Sequence, residues 1–141
     1  MYYFLAPILA WLVAGTLKFI INYFRYGHAA KNHIGNGGFP SNHTTIVSTI
    51  TMLIGFHEGF DSALFGLGVA VTMIVIIDAI GLRRYVGYHA VSLNILLSES
   101  NNTDKTNTDK PHREKIGHTK FEVIGGFVLG TILGYLFHLT M

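Results

Sequence analysis

The stretch GGFPSNHTTIVST, residues 37–49, places a small polar segment directly before an apolar run. Pro40 suits a helix entry, and Ser41 or Asn42 is a good N-cap residue. The residues after this point are apolar enough to continue as a helix. The stretch therefore predicts a helix that begins at 41 and turns its first residues toward the preceding loop.

The same stretch contains features of an anion site. A helix that begins here directs its free N–H groups and the positive end of its dipole toward the loop. Gly37 and Gly38 allow a ligand to approach the backbone closely. His43 lies in the first turn, beside any bound anion. The alternative is a capped helix start with an incidental histidine.

The composition indicates a membrane protein. Half of the 141 residues are hydrophobic, and the mean hydropathy is +0.40. This length allows one domain, which we take as residues 1–141. The chain has no cysteine, which excludes disulfides and thiolate chemistry. The net charge of +2 is too small to indicate a nucleic-acid partner.

Four apolar stretches predict membrane-spanning helices. The first, third and fourth approach the ~20 residues that a helix needs to cross the hydrocarbon core. The second is long enough only if it begins at Ser41. A surface helix follows the third, and a polar segment with a repeated NTDK follows that helix. We predict an all-α integral membrane bundle of about four transmembrane helices plus an interfacial helix. The spans are about 2–25, 41–57, 61–82 and 118–139, the surface helix is 83–98, and a mobile loop is about 99–116.

The distribution of positive charge predicts the orientation in the membrane. All ten Lys and Arg residues lie at 18–31 or at 83–120. With four spans, the loops at 25–41 and 83–117 fall on one side, and the positive-inside rule makes this side cytoplasmic. We expect an integral protein of the bacterial cytoplasmic membrane with its polar site facing the cytoplasm.

Charged residues inside apolar spans are candidate site residues, because they are costly there. Lys18 and Asp78 are two such residues, and the alternative is that they pair with each other or that Lys18 reaches the interface. Arg25 lies almost two helical turns after Lys18 and can point the same way. Arg83 and Arg84 follow Asp78, although each alone would be an ordinary positive-inside anchor.

A second histidine begins the last span. In GHTKFEV, His118 and Glu122 are four residues apart on one helical face. The carboxylate can bind one imidazole nitrogen and leave the other as a nucleophile. The alternatives are a cap with Thr119, or metal ligation by His43, His118 and Glu122, although no HExxH-like spacing supports a metal. Cations, a helix N-terminus and two histidines on one membrane face together predict a phosphoryl site.

Five segments in order carry a family resemblance: LKFIINYFR, GGFPSNHTT, EGFDSALF, DAIGLRRYVGYHAVSLN and GHTKFEVIGG. They resemble the divergent branch of the type-2 phosphatidic acid phosphatase family, which is related to vanadium-dependent haloperoxidases. Each segment alone is weak, and the ordered set is fairly specific. The resemblance implies an acid phosphatase-like membrane protein that hydrolyses a lipid-linked phosphate monoester or diphosphate.

The resemblance also implies roles for individual residues. His118 attacks phosphorus and forms a phosphohistidine, Glu122 orients it, and His43 protonates the leaving oxygen. The phosphate-binding residues are Lys18, Arg25, Ser41, Asn42, Arg83 and Arg84, with Asp78, Gly37 and Gly38 in support. No metal or other cofactor is expected, because cationic side chains neutralise the phosphate. The expected partners are a lipid phosphate substrate and membrane lipids, with no nucleic acid.

The sequence departs from the family pattern at several positions. Asn42 replaces a glycine, and Glu122 replaces an aspartate. His112 stands where the family has an arginine, and Arg113 follows one residue late. A chain with fewer spans than the family could complete its site as a homodimer. Two other functions stay open at this point: a non-catalytic protein with a degenerate site, and a histidine-lined carrier for an anion or a metal.

Overall fold

Helices account for all the regular structure in the described part of the chain. The computed structural model describes residues 3–27, 38–101, 111–114 and 116–140. Gly37 and the core of the predicted 99–116 loop lie outside these ranges. The five helices are α1 (Leu5–Tyr26), α2 (Asn42–Glu58), α3 (Ala63–Ile80), α4 (Leu82–Asn101) and α5 (Lys120–His138). The prediction of an all-α fold is confirmed.

Three helical stretches are long and apolar enough to cross a membrane. They are α1, the stretch Ala63–Glu99 that contains α3 and most of α4, and α5. The second predicted span corresponds to α2, which has 17 residues and packs against α1, α3 and α5. The surface helix predicted at 83–98 is α4. It extends to Asn101, into the first polar residues of the predicted loop.

The distribution of side chains is the reverse of that in a soluble protein. The buried apolar residues are mostly alanines, including Ala6, Ala10 and Ala14 on one face of α1. Large apolar side chains point outward, as at Trp11 and Ile74. Association of helices in lipid depends on close packing of small residues, since lipid is as apolar as leucine. This pattern fits a helical membrane protein.

Small hydroxyl residues form the buried face of α2. Their hydroxyl groups donate to carbonyls one turn earlier on the same helix, as from Thr45 Oγ1 to the Ser41 carbonyl at 2.9 Å and from Thr49 Oγ1 to the Thr45 carbonyl at 2.7 Å. These bonds satisfy polar groups that would otherwise be costly to bury. The buried face is therefore polar in composition, and its hydroxyl groups are largely satisfied within α2, although Thr51 Oγ1 also lies 3.0 Å from Thr72 Oγ1 on α3. It comprises Thr44, Thr45, Ser48, Thr49 and Thr51.

A line of glycines on α5 faces this hydroxyl face. We call Gly126, Gly130 and Gly134 the glycine stripe. A Cβ at Gly126 would lie 2.6 Å from the Ser41 carbonyl oxygen, and one at Gly130 would lie 2.5 Å from Ser48 Oγ. Gly134 is as tightly enclosed, since its Cβ would lie 2.9 Å from the Thr49 carbonyl oxygen. Only glycine fits at this distance between the helices.

The two ends of the bundle have different contents. At one end Tyr3 donates a hydrogen bond to Glu58 Oε1 at 2.8 Å, and the rings of His57 and His138 lie 5.8 Å apart. The starts of α2 and α5 meet at the other end, where the Ser41 N–H donates to the Glu122 carbonyl at 2.9 Å. The candidate site residues lie at this second end.

A non-helical segment leads from α4 back to α5. We call Pro111–Glu114 with Ile116–His118 the return segment. It lies along α4, since a Cβ at Gly87 would be 2.6 Å from the Glu114 carbonyl oxygen. It ends where the His118 N–H donates to the Ala79 carbonyl at 3.0 Å. The part of the predicted loop that the structure describes is therefore attached to the helices.

The glycine stripe gives a prediction for stability. Gly130→Ala should lower the free energy of unfolding by roughly 1–3 kcal/mol, because the added methyl group overpacks the contact with Ser48. The midpoint of thermal unfolding in detergent measures the loss. Gly66→Ala on α3 is the matched control, since its Cβ meets no described atom within 4 Å. Equal midpoints for the two variants would contradict close packing at Gly130.

Candidate functional site

One cavity of about 730 Å³ opens between α1 and the ends of the other helices. The wall of the cavity is apolar at one end and polar at the other. Trp11, Leu12, Gly15 and Phe19 give it an apolar part. The polar and basic part comes from four parts of the chain, namely α1, the start of α2, the start of α4 and the segment before α5. Its polar side chains are Thr16, Lys18, Asn22, Asn42, His43, Arg83, Arg113 and His118.

His118 is held in one orientation at this cavity. It is 8% exposed, and its Nδ1 lies 2.9 Å from Glu122 Oε2. An ionised carboxylate only accepts hydrogen bonds, so Nδ1 carries the hydrogen and Nε2 has the free lone pair. The predicted contact between His118 and Glu122 is therefore present. Its chemical consequence is an imidazole whose nucleophilic nitrogen is left for the cavity.

Glu122 connects three parts of the site. Its Oε1 accepts a hydrogen bond from the Gly38 N–H at 3.1 Å, and its Oε2 accepts from the Thr119 N–H at 3.0 Å as well as from His118. Thr119 caps α5 in return by accepting the Glu122 N–H at 3.3 Å. The capping arrangement and the orientation of His118 are thus not alternatives, because one carboxylate performs both.

The start of α2 lies beside His118. The ring centroids of His43 and His118 are 6.4 Å apart in an edge-on arrangement, so the two imidazoles are neighbours at the cavity. Ser41 caps the helix by accepting the Thr44 N–H at 3.4 Å, and Asn42 and His43 are the first residues of α2. Helices leave the N–H groups of their first turn without partners inside the helix. Asn42 Oδ1 is buried and has no partner among the described residues.

The cations of the cavity lie on three elements. Lys18 is on α1, Arg83 is in the first turn of α4, and Arg113 is on the return segment. Asp78 at the end of α3 is bonded to Arg83, with 2.5 Å between its Oδ2 and Arg83 Nε. The alternative pairing of Asp78 with Lys18 is therefore wrong. Lys18 faces the cavity instead.

Three of the residues predicted to bind phosphate do not line the cavity. Arg25 lies on the same side of α1 as Lys18 but ~10 Å further along the axis, beyond the cavity. Arg84 follows Arg83 by ~100° around the helix, and its Nη2 donates to the Tyr88 hydroxyl at 3.3 Å. The Ser41 hydroxyl is buried and used in capping.

Some features of the site were not expected from the sequence. In the sequence, Arg113 stands one position after the place of the arginine in the family pattern. Its approach to the cavity depends on how the return segment folds, which the sequence does not predict. The apolar wall was missed, although Trp11, Gly15, Lys18 and Asn22 recur at helical spacing and mark one face. Metal ligation receives no support, since no three His, Asp or Glu side chains among the described residues are grouped as ligands.

Comparisons with known proteins agree with the resemblance of the segments. The model of the divergent PAP2 family matches residues 1–133 of this chain. The uncharacterized membrane protein YuiD of Bacillus subtilis is 30% identical over 115 residues, which cover 72% of this chain and 73% of that protein. No solved structure matches the chain significantly.

Proposed function

The chain belongs to the divergent PAP2 family, and we propose that it is an integral membrane phosphatase. Its substrate is a lipid-linked phosphate monoester or diphosphate. One observation carries the proposal: a carboxylate-bound histidine, a second histidine and three cations share one cavity. This set matches the needs of phosphoryl transfer, in which positioning and charge stabilisation supply most of the catalysis.

In the proposed reaction His118 Nε2 attacks phosphorus and forms a P–N bond. The P–O bond to the leaving group breaks, and His43 gives its proton to the leaving oxygen. His43 then takes a proton from water, and the resulting hydroxide cleaves the P–N bond and releases phosphate. Glu122 stabilises the positive charge that develops on His118 while it forms the intermediate. The protein ends the cycle in its starting protonation state.

The phosphoryl oxygens are neutralised by cations and by the start of α2. Lys18, Arg83 and Arg113 supply positive charge, and the N–H groups of Asn42 and His43 add donors at a helix N-terminus. The unpartnered amide oxygen of Asn42 supports a bound group here, since buried polar atoms normally have partners. Rotation of this amide lets it meet either a donor or an acceptor of the substrate.

The apolar part of the cavity supports a lipid as the substrate. Trp11 precedes Lys18 by seven residues, which is ~10 Å along α1 toward the N-terminal end of this membrane-spanning helix. A phosphate at the basic end therefore directs its hydrocarbon chain along the wall of Trp11, Leu12 and Gly15. A soluble phosphate ester would leave this wall uncovered.

We place the basic end of the cavity in the cytoplasm, and labelling of single cysteines tests this orientation. The chain has no cysteine of its own. In intact cells a membrane-impermeant maleimide should label Asp61→Cys and should not label Asn36→Cys or Asn107→Cys. The latter two should react in inside-out vesicles. Labelling of Asn36→Cys and Asn107→Cys from opposite faces would contradict the proposed site.

The roles of the two histidines give a kinetic prediction. His118→Ala should abolish phosphate release from all lipid phosphates, since no phosphoenzyme forms. His43→Ala should slow the release of an alkoxide leaving group by about 10²–10⁴-fold, the usual contribution of general acid catalysis. The loss with p-nitrophenyl phosphate should be much smaller, because p-nitrophenolate leaves without a proton. Single-turnover release of the leaving group measures both.

If no phosphate is released, a measurement of orthovanadate binding shows whether the protein still binds a phosphate-like anion. A folded protein that binds orthovanadate but releases no phosphate from any substrate would be an anion carrier or a degenerate enzyme. Equal losses with both substrates in His43→Ala would remove its role as an acid. His57→Ala is the control, because this histidine lies at the opposite end of the bundle.

The apolar wall predicts that kcat/KM depends on the length of the substrate's hydrocarbon chain. Gly15→Leu should lower kcat/KM about 10-fold or more for a long-chain lipid phosphate, since its side chain occupies the space of several methylene groups at ~0.8 kcal/mol each. Activity toward p-nitrophenyl phosphate should stay within about 2-fold, as that substrate has no chain to displace. Gly66→Leu is the control on α3, where a Cβ also meets no described atom within 4 Å. Equal losses with both substrates would contradict the placement of the chain.

A further inference from the structure

Arg113 differs from the other cations of the cavity in what supports it. Lys18 and Arg83 project from helices, whose backbones are fixed by their own hydrogen bonds. Arg113 projects from the non-helical return segment. Ordering such a backbone costs conformational entropy, so a charge on this segment needs support from outside the segment.

The side chain of Asn94 on α4 supplies that support. Its Oδ1 accepts the His112 N–H at 2.7 Å, and its Nδ2 donates to the His112 carbonyl at 2.8 Å. The amide thus pairs with both main-chain groups of His112, as a neighbouring strand would. Nδ2 also donates to Glu114 Oε1 at 2.8 Å. Asn94 therefore holds the residues on both sides of Arg113.

Other contacts fix the segment only after Arg113. Gly87 lies against the Glu114 carbonyl, and the His118 N–H is bonded to Ala79. Among the described residues, Asn94 makes the side-chain hydrogen bonds to residues 111–113. Without this amide, the stretch that carries Arg113 loses its connection to α4 while the His118 end stays attached.

We infer that Asn94 is a positioning residue that holds Arg113 against the oxyanion in the cavity. Its amide binds no substrate and acts through the return segment. The inference rests on the proposed function for the identity of the oxyanion, while the position of the segment can be measured independently. It assigns α4 a second task besides its contact with α3: to present a cation to the site.

A double-mutant cycle on orthovanadate binding tests the connection. Arg113→Ala should weaken binding about 10- to 100-fold, the usual cost of losing a hydrogen bond to a charged group. Asn94→Ala should also weaken binding, by a factor no larger than that of Arg113→Ala. In the Arg113→Ala background, Asn94→Ala should have no further effect, because the residue that it positions is gone. Ser92→Ala is the control, since among the described residues its hydroxyl donates to the Tyr88 carbonyl on the same helix.

A spin label separates failure of the inference from failure of the proposed function. With a nitroxide on Arg113→Cys, the spectrum should show restricted motion, and adding Asn94→Ala should make it mobile. A label on Ile116→Cys should change little, since the His118 end stays attached. Unchanged spectra, or fully additive losses in the cycle, would overturn the role of Asn94. If the spectra change as expected but orthovanadate does not bind, the proposed phosphatase function is overturned, while the positioning of the return segment by Asn94 stands.

Discussion

The site depends on the close approach of α2 and α5. The glycine stripe removes side chains where α5 meets the hydroxyl face of α2, and the backbones come near enough for the Ser41 N–H to bond to the Glu122 carbonyl. This contact joins the starts of the two helices. It also sets the 6.4 Å separation of the His43 and His118 rings. A larger residue in the stripe would separate the helices, and the histidines with them.

Polar groups at this end serve structure and site together. Glu122 caps α5 through Thr119, holds the loop before α2 at Gly38, and fixes the imidazole of His118. Each of these bonds joins groups of the protein itself. The protein therefore orients the imidazole, and the binding energy of a substrate is not needed to order it. The structural requirement of a helix cap and the requirement of an oriented nucleophile are met by one carboxylate.

Local patterns in the sequence predicted what depends on local structure. The start of α2, the contact of His118 with Glu122 and the helical class follow from capping, spacing and hydropathy. Other parts of the site depend on tertiary packing. Arg25 has the helical phase of Lys18 but lies ~10 Å further along the axis, outside the cavity lining, and Arg84 bonds to Tyr88 instead of lining the cavity. Arg113 and Asn94 could not be paired beforehand, because 19 positions separate them and the intervening polar stretch has no periodicity. The buried face of α2 is rich in threonine, which hydropathy alone does not identify as core.

The charges at the cavity explain why an arginine occupies position 83. Three cations, Lys18, Arg83 and Arg113, and two carboxylates, Asp78 and Glu122, lie at or beside the cavity, so these five groups have a formal balance of one positive charge. Asp78 engages Arg83 through Nε only, which leaves both terminal guanidinium nitrogens as donors. A lysine has one nitrogen and could not hold Asp78 and a phosphoryl oxygen with separate groups of fixed geometry. The carboxylate thus keeps the arginine in place and still leaves it able to bind an anion.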